Sequence, residues 1–121
     1  MRDNVALPLL LDGVRATHAR RRADVALESV DLGDRAAHLP SELSGGQLQR
    51  AAIARALVAE PAVVLADEPT GNLDAGTAQD VLDLLVDQVR SRGAALVLVT
   101  HDGAAAARAD RTLHLLDGLL V

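Results

Sequence analysis

Two adjacent acidic residues follow a short apolar run, and this placement suits chemistry on a phosphate. Residues 62–66 come after Pro61 and are apolar, so we expect a strand buried on both faces of a parallel sheet. Asp67 and Glu68 then lie at its carboxyl end, where open α/β sheets bind ligands. One acid could hold a hydrated Mg²⁺ while the other acts on water. The alternative is that the acidic pair caps a helix before Pro69, and the pair alone fits either role.

A glycine pair at a predicted helix start suits the binding of an anion. Ser44 and Gln47 have the spacing of a capping box, which predicts a helix from this point to about Ala59. Gly45 and Gly46 leave the first turn without side chains, so its free N–H groups and the positive end of the helix dipole could meet a phosphate. A glycine-rich loop that only caps the helix is the alternative, and the Ser-Gly-Gly sequence alone favours it.

A second apolar run predicts a neighbouring strand, and it ends in a histidine. Residues 94–99 form the run, which we also expect to be buried on both faces, and Thr100-His101 follows it. A lone histidine before Asp-Gly is usually a cap or a surface residue. Because parallel strands end at one edge, we expect His101 opposite Glu68, where it could sense a phosphate.

The residues between the two strands predict a loop and an amphipathic helix. Asp74 is a good N-cap for a helix over residues 75–92, and Gly93 is a typical helix stop. The apolar stripe of this helix consists of Ala78, Val81, Leu82, Leu85 and Val89.

Taken together, these motifs resemble those of the ATP-binding subunits of ABC transporters. Leu43-Ser44-Gly45-Gly46-Gln47 looks like the signature motif, and residues 63–68 look like the Walker B strand. Residues 71–74, Gly-Asn-Leu-Asp, look like the D-loop, and His101 looks like the switch histidine. The sequence of residues 67–74 is most similar to that of the subfamily of lipoprotein release, macrolide efflux and related export.

The resemblance implies an α/β fold, namely the C-terminal part of a P-loop NTPase domain with a partial parallel sheet. Residues 1–43 would be a helical subdomain, and residues 44–121 would belong to the ATPase core. Asp67 would hold Mg²⁺ through water, Glu68 would polarise the attacking water and His101 would contact the γ-phosphate of ATP. Ser44, Gly45, Gly46 and Gln47, together with Asp74, would act across a dimer on ATP held by a second nucleotide-binding subunit, identical or different. A membrane-spanning permease would be the other partner, and the location would be cytoplasmic, peripheral at the inner face of the cell membrane.

The composition limits this interpretation. All twelve basic residues are arginine, so the chain has no Walker A lysine, and no aromatic residue is present to stack on adenine. The resemblance therefore covers about the C-terminal half of a nucleotide-binding domain, and we expect a fragment that is inactive alone. Two functions remain open: an ATPase subunit of an exporter, or a non-catalytic module that supplies the signature motif to an intact ATPase or docks on a permease.

Charge and hydropathy exclude other classes. A net charge of −5 without lysine or aromatic residues argues against nucleic-acid binding. The chain has no cysteine, which excludes disulfides and thiolate metal sites. No signal peptide is expected before Val5, and no apolar run is long enough to span a bilayer.

The remaining segments predict structural elements. We expect a short helix over residues 4–11, a second helix capped by Thr17 and running to about Val30, a short helix over residues 103–109, and a type I′ hairpin at Asp117-Gly118. The basic triplet 20–22 could meet acidic lipid headgroups, although a solvated helix face is the favoured interpretation. Arg50 and Arg55 are expected to be solvated or paired with acids, and His18 and His38 to be surface residues.

Overall fold

The structure is a computed structural model that describes residues 1–121. It is an α/β arrangement, as the sequence predicts. The helices are α1 (Arg2–Leu11), α2 (Ala16–Glu28), α3 (Gly45–Leu57), α4 (Ala75–Ser91) and α5 (Gly103–Ala106). The strands are β1 (Val63–Asp67), β2 (Ala95–Val99), β3 (Leu115–Leu116) and β4 (Leu119–Leu120), and short 3₁₀ turns occupy Gly33–Arg35 and Pro40–Glu42. None of these helices is long and apolar enough to cross a membrane.

One aliphatic core joins the helices. The first three helices pack on one another, and α4 packs against α3. Fully buried side chains include Val5 of α1, Leu27 of α2 and Val81 of α4, and no polar side chain is buried with them. Because the chain has no aromatic residues, this core is filled by Leu, Val, Ile and Ala alone.

The second helix begins earlier than predicted, and Thr17 is not its cap. The carbonyl of Arg15 already accepts hydrogen bonds from His18 (2.9 Å) and Ala19 (3.0 Å). Arg15 therefore occupies the N-cap position, without a side-chain cap bond, and Thr17 lies inside the first turn. The predicted apolar positions of this helix are correct, because Ala19, Ala23, Ala26 and Leu27 are buried, as is Val30 just beyond it.

The parallel pairing of β1 and β2 is as predicted, but the prediction that both faces of these strands are buried is wrong. The register pairs Val63 with Ala95, Leu65 with Val97 and Asp67 with Val99. On one face Val64 is buried, and on the other face Leu65 is 77% exposed and Val97 is 50% exposed. The reason is that the helices cover one face of this two-stranded sheet, while no element of the chain lies on the other.

The predicted hairpin is present near the C-terminus. Its strands pair Leu115 with Leu120 and Leu116 with Leu119. Asp117 (φ 49°) and Gly118 (φ 80°) both have positive φ, as a type I′ turn requires. Every residue from 109 to 121 is exposed, so the hairpin is not covered by the rest of the chain.

The polar side chains of the helices mostly have partners within the chain. Arg20 pairs with Asp3 at 2.7 Å, and Arg22 donates to the carbonyl of Val58 at 2.8 Å. Arg50 pairs with Asp31 at 2.9 Å as expected, whereas Arg55 donates to the amide of Asn4 at 2.9 Å rather than to an acid.

The expectation of two surface histidines holds for one of them. His18 is exposed, but His38 is half-buried and its Nδ1 has no hydrogen-bond partner. The loop that carries His38 lies against the start of α1, where the N–H of Arg2 donates to the carbonyl of Ala36 at 2.8 Å.

The aliphatic core predicts the effect of truncating one of its leucines. Leu27→Ala should lower the free energy of unfolding by about 2–5 kcal/mol, because Leu27 is fully buried and its removal leaves a cavity. Urea unfolding followed by circular dichroism measures the change. Leu11→Ala is the matched control, since Leu11 is 78% exposed and should change stability little. Equal losses in the two variants would contradict this account of the core.

Candidate functional site

The carboxyl end of β1 turns sharply at Glu68. Its φ of 44° lies in the left-handed region, which costs energy for a residue with a side chain. Its N–H donates to the carbonyl of Val99 at 2.9 Å, so the turn stays attached to the end of β2. The backbone thus directs Glu68 toward the neighbouring strand end, while Asp67, the last residue of β1, remains exposed.

His101 lies opposite Glu68 at the neighbouring strand end, as the sequence predicts, and the structure adds that the two residues are hydrogen-bonded. Oε1 of Glu68 accepts from the backbone N–H of His101 at 3.0 Å and lies 2.6 Å from His101 Nδ1. The side-chain hydrogen bond from His101 lowers the pKa of Glu68, and the same bond raises the pKa of His101. The imidazole is 86% exposed, so it can also reach a ligand in solution.

Thr100 and Asp102 hold the segment that carries His101. Oγ1 of Thr100 accepts from the N–H of Asp102 at 3.0 Å, and Oδ1 of Asp102 accepts from the N–H of Ala104 at 2.9 Å, which caps α5. We did not assign Thr100 this role from the sequence. Its spacing of two residues from Asp102 is typical of a side-chain turn and could have indicated it.

The predicted capping box at Ser44 is present. The N–H of Gln47 donates to Oγ of Ser44 at 3.3 Å, and the N–H of Ser44 donates to Oε1 of Gln47 at 2.9 Å. The N–H groups of Gly45 and Gly46 donate to no group of the chain, as expected for the first residues of a helix. This geometry agrees with a cap and equally leaves two amides for a phosphate.

Both glycines approach the start of α4 closely. A Cβ on Gly45 would lie 3.3 Å from Cδ2 of Leu73, and a Cβ on Gly46 would lie 2.6 Å from Cγ2 of Thr77. The second distance is far shorter than any normal contact, so only glycine fits at position 46 without a shift. Thr77 is a residue that our sequence reasoning missed, because nothing in its neighbours along the chain indicates contact with Gly46.

Asp74 caps α4, as the sequence predicts. Its Oδ2 accepts from the N–H of Thr77 at 3.0 Å, and its Oδ1 accepts from the hydroxyl of Thr77 at 2.7 Å. The hydroxyl bond is the main cause of a lowered pKa of Asp74. Thr77 therefore contacts both Gly46 and Asp74, and it joins the start of α3 to the start of α4.

The structure thus gathers the predicted site residues into two groups. The strand-edge group is Asp67, Glu68 and His101, and the helix-start group is Ser44, Gly45, Gly46, Gln47 and Asp74. No hydrogen bond or ion pair connects one group to the other.

The strand-edge group fits a weakly held Mg²⁺ rather than a closed metal site. No three acidic or histidine side chains are close enough to form a metal cluster. Asp67 offers one exposed carboxylate, because Glu68 is engaged by His101. Mg²⁺ is commonly bound by one or two carboxylates with water and substrate phosphates, and Asp67 fits that manner of binding.

The chain has only some of the groups that would bind an ATP molecule. The free amides of Gly45 and Gly46 suit one phosphate group, whereas no lysine and no aromatic ring are available for the other phosphates and the adenine. Two cavities, of about 260 and 290 Å³, lie elsewhere and contain none of the site residues.

The Glu68–His101 bond predicts a pH dependence. Glu68, with an ordinary pKa of 4.5, contributes stability above that value and loses it as pH falls through its lowered pKa. His101, with an ordinary pKa of 6.5, contributes stability below pH 6.5, and this stability is lost as pH rises through its raised pKa. Because the Glu68 carboxylate raises the pKa of His101, Glu68→Gln should lower that pKa. NMR titration of the imidazole measures the change. Glu60→Gln is the control, and equal His101 midpoints in Glu68→Gln and the original chain would refute the pairing.

Comparison with known proteins identifies the family. The sequence model of the ABC transporter family matches residues 1–71. The chain is 48% identical over 119 residues to the lipoprotein-releasing system ATP-binding protein LolD of Syntrophus aciditrophicus, which covers 98% of this chain and 53% of that protein. The LolD of Bordetella pertussis is 53% identical over 118 residues, covering 98% and 51%.

A solved structure with a similar fold is the dimeric ATP-binding cassette MJ0796 in a post-hydrolysis state bound to ADP and Pi. It has a TM-score of 0.79 and 40% sequence identity, and the match covers 97% of this chain and 52% of that one. This chain therefore spans about half the length of the curated relatives that it matches. The motifs, the strand-edge geometry and these matches agree, and the chain belongs to the ABC transporter family.

Proposed function

We propose that this chain provides part of an ATP-binding, ATP-hydrolysing subunit of an ABC transporter of the lipoprotein-release or export type. The observation that carries the proposal is the Glu68–His101 pair, bonded at 2.6 Å where two parallel strands end beside Asp67. The relatives named as lipoprotein-releasing ATP-binding proteins support the subfamily.

In this proposal the strand-edge group acts on the terminal phosphate. Asp67 would hold a hydrated Mg²⁺, which would neutralise charge on the phosphates. Glu68 orients and polarises the attacking water. His101 donates a hydrogen bond to the γ-phosphate from the ring that Glu68 holds. These roles suit phosphoryl transfer, in which positioning and charge neutralisation supply most of the catalysis.

The helix-start group acts on a nucleotide held by another subunit. The free amides of Gly45 and Gly46, with Ser44 and Gln47 beside them, contact the γ-phosphate across a dimer interface. Asp74 lies at the same interface. The dimeric form of the MJ0796 cassette supports a second nucleotide-binding subunit, identical or different, as the partner.

The proposed setting is the inner face of the cell membrane, through a membrane-spanning permease. We assign residues 1–43 to a helical subdomain that contacts the permease and residues 44–121 to the ATPase core. The relatives are named as ATP-binding proteins of a lipoprotein-releasing system, which supports this setting.

A second candidate function is a non-catalytic module that supplies the signature motif in trans. The observation in its favour is that the chain contains the free-amide helix start but no lysine for a P-loop. Such a module would dock on a permease or an intact ATPase and complete the other subunit's site.

The absence of a P-loop lysine predicts weak nucleotide binding by the chain alone. Isothermal titration with Mg-ATP should show no micromolar affinity, because the lysine-bearing loop that binds most of the phosphates is missing. For the same reason no phosphate should be released from ATP. The LolD protein of Bordetella pertussis is the positive control. A micromolar affinity of this chain for Mg-ATP would contradict this prediction.

The helix-start group predicts stimulation of an intact relative. Adding this chain to a full-length homologue should raise its ATP turnover if the signature motif acts in trans. Ser44→Arg should abolish the stimulation, because a bulky side chain would occupy the phosphate position. Ser91→Arg, at an exposed serine of α4, is the matched control and should stimulate normally. Equal stimulation by both variants would exclude the helix start from the partner's site.

A further inference from the structure

A groove that contains none of the site residues lies between α2 and the segments that follow α3 and α4. It has a volume of about 260 Å³. The charged and exposed residues that line it are His18, Arg21, Arg22 and Val25 of α2, Glu60 after α3 and Arg92 after α4. Residues three and four apart share one face of a helix, so the four residues of α2 lie along a single face. We call this feature the α2 groove.

The α2 groove carries positive charge that the chain does not neutralise. Arg22 pairs with Glu60 at 3.3 Å, whereas Arg21 and Arg92 form no ion pair. The chain has 17 acidic and only 12 basic residues, so two arginines without a carboxylate beside one groove run against its overall charge. The α2 groove is therefore complementary in charge to an anionic partner.

Two of the guanidinium groups are held in position by backbone carbonyls. Nη2 of Arg22 donates to the carbonyl of Val58 at 2.8 Å, and Nη1 of Arg92 donates to the carbonyl of Gln88 at 3.0 Å. A guanidinium has five N–H donors in a rigid fork, so each still has donors for a carboxylate. Because these side chains are already ordered, binding a carboxylate costs less conformational entropy.

Apolar surface accompanies the arginines. Leu57 and Val58 contribute to the lining and are buried, whereas Val25 is 66% exposed between the basic residues of α2. An apolar side chain of a partner would remove Val25 from water while a neighbouring carboxylate meets the arginines.

We propose that the α2 groove is a docking site for an acidic peptide segment of a partner protein. The carboxylates of this segment bind Arg21 and Arg92, and an apolar side chain next to them covers Val25. Recognition of acidic motifs by clustered arginines is a recurring mode of peptide binding. The site goes beyond the proposed function, because neither the strand-edge group nor the helix-start group belongs to it.

A free small anion is the less suitable occupant. Small-molecule sites bury most of the surface of their ligand. The α2 groove is open along its rim, since His18, Arg21, Val25, Glu60 and Arg92 are all exposed. A segment of a larger protein has further surface with which to cover that rim.

A lipid surface is also less suitable. The basic triplet 20–22 is divided in the structure, because Arg20 pairs with Asp3 at 2.7 Å and does not line the α2 groove. The carboxylate of Glu60 is 79% exposed beside the remaining arginines, where it would repel acidic headgroups.

The test uses the complete chain and a panel of capped hexapeptides. Each peptide has one leucine among glutamates, and the leucine moves along the panel from the first position to the last. NMR titration with at least one peptide should give saturable shifts of the side-chain Nε signals of Arg21 and Arg92 and of the amide of Val25. The matching peptides with glutamine in place of glutamate should give none. No nucleotide is present, so the outcome is independent of the ATP-binding prediction.

Charge substitutions sharpen the test. Arg21→Glu should weaken peptide binding roughly tenfold or more, because it replaces an attraction with a repulsion. Arg92→Gln is a second variant, and circular dichroism checks that both are folded. Arg15→Glu is the matched control, since Arg15 is an exposed arginine at the start of α2 outside the α2 groove. It makes the same change in charge and should leave peptide binding unchanged.

The proposal is overturned if no peptide shifts these signals, if the glutamine peptides bind equally well, or if Arg15→Glu weakens binding as much as Arg21→Glu. Equal shifts with inorganic phosphate, at the same concentration of anionic groups, would show a free anion in place of a peptide and overturn it too. Equal shifts with phosphatidylglycerol vesicles would overturn it in favour of a lipid surface.

Discussion

The parallel pairing of β1 with β2 is the constraint on which the candidate site depends. Its register sets Asp67 against Val99, so the residues that follow each strand must meet at one edge. The bond from the N–H of Glu68 to the carbonyl of Val99 extends that pairing by one residue and holds Glu68 at a φ of 44°. A shift of register by one residue would separate Glu68 from His101 and turn every side chain of one strand to the other face.

The second group depends on close contact between helix starts. A side chain at position 46 would require a shift, because Cγ2 of Thr77 lies 2.6 Å from where a Cβ would lie. Thr77 in turn is bonded through its N–H and hydroxyl to Asp74. The helix that presents free amides is therefore fixed against the loop that follows β1.

Local signals in the sequence correctly predicted the features that depend on neighbours along the chain. The capping box at Ser44, the cap at Asp74 and the type I′ turn at Asp117-Gly118 are of this kind. The meeting of the two parallel strand ends is a long-range contact, and it was predicted because parallel strands end at the same edge of a sheet. Two-sided burial of the strands was wrong because burial depends on which elements lie nearby in space. An apolar run indicates that both faces of a strand could be buried, but in this chain the helices cover only one face of the β1–β2 sheet. The contacts of Thr77 with Gly46 were unpredictable for the same reason.

The geometry of the Glu68–His101 bond decides what Glu68 can do in the proposed role. Both hydrogen bonds from His101 fall on Oε1, so Oε2 is the oxygen left for a water molecule. The same bonds lower the pKa of Glu68, which makes its carboxylate a weaker proton acceptor. A weaker base is poorly suited to removing a proton before the phosphate bond breaks, but it can still orient and polarise water. Phosphoryl transfer through a loose transition state needs orientation more than early proton removal. In the proposed role, Glu68 would therefore position a water molecule rather than deprotonate it.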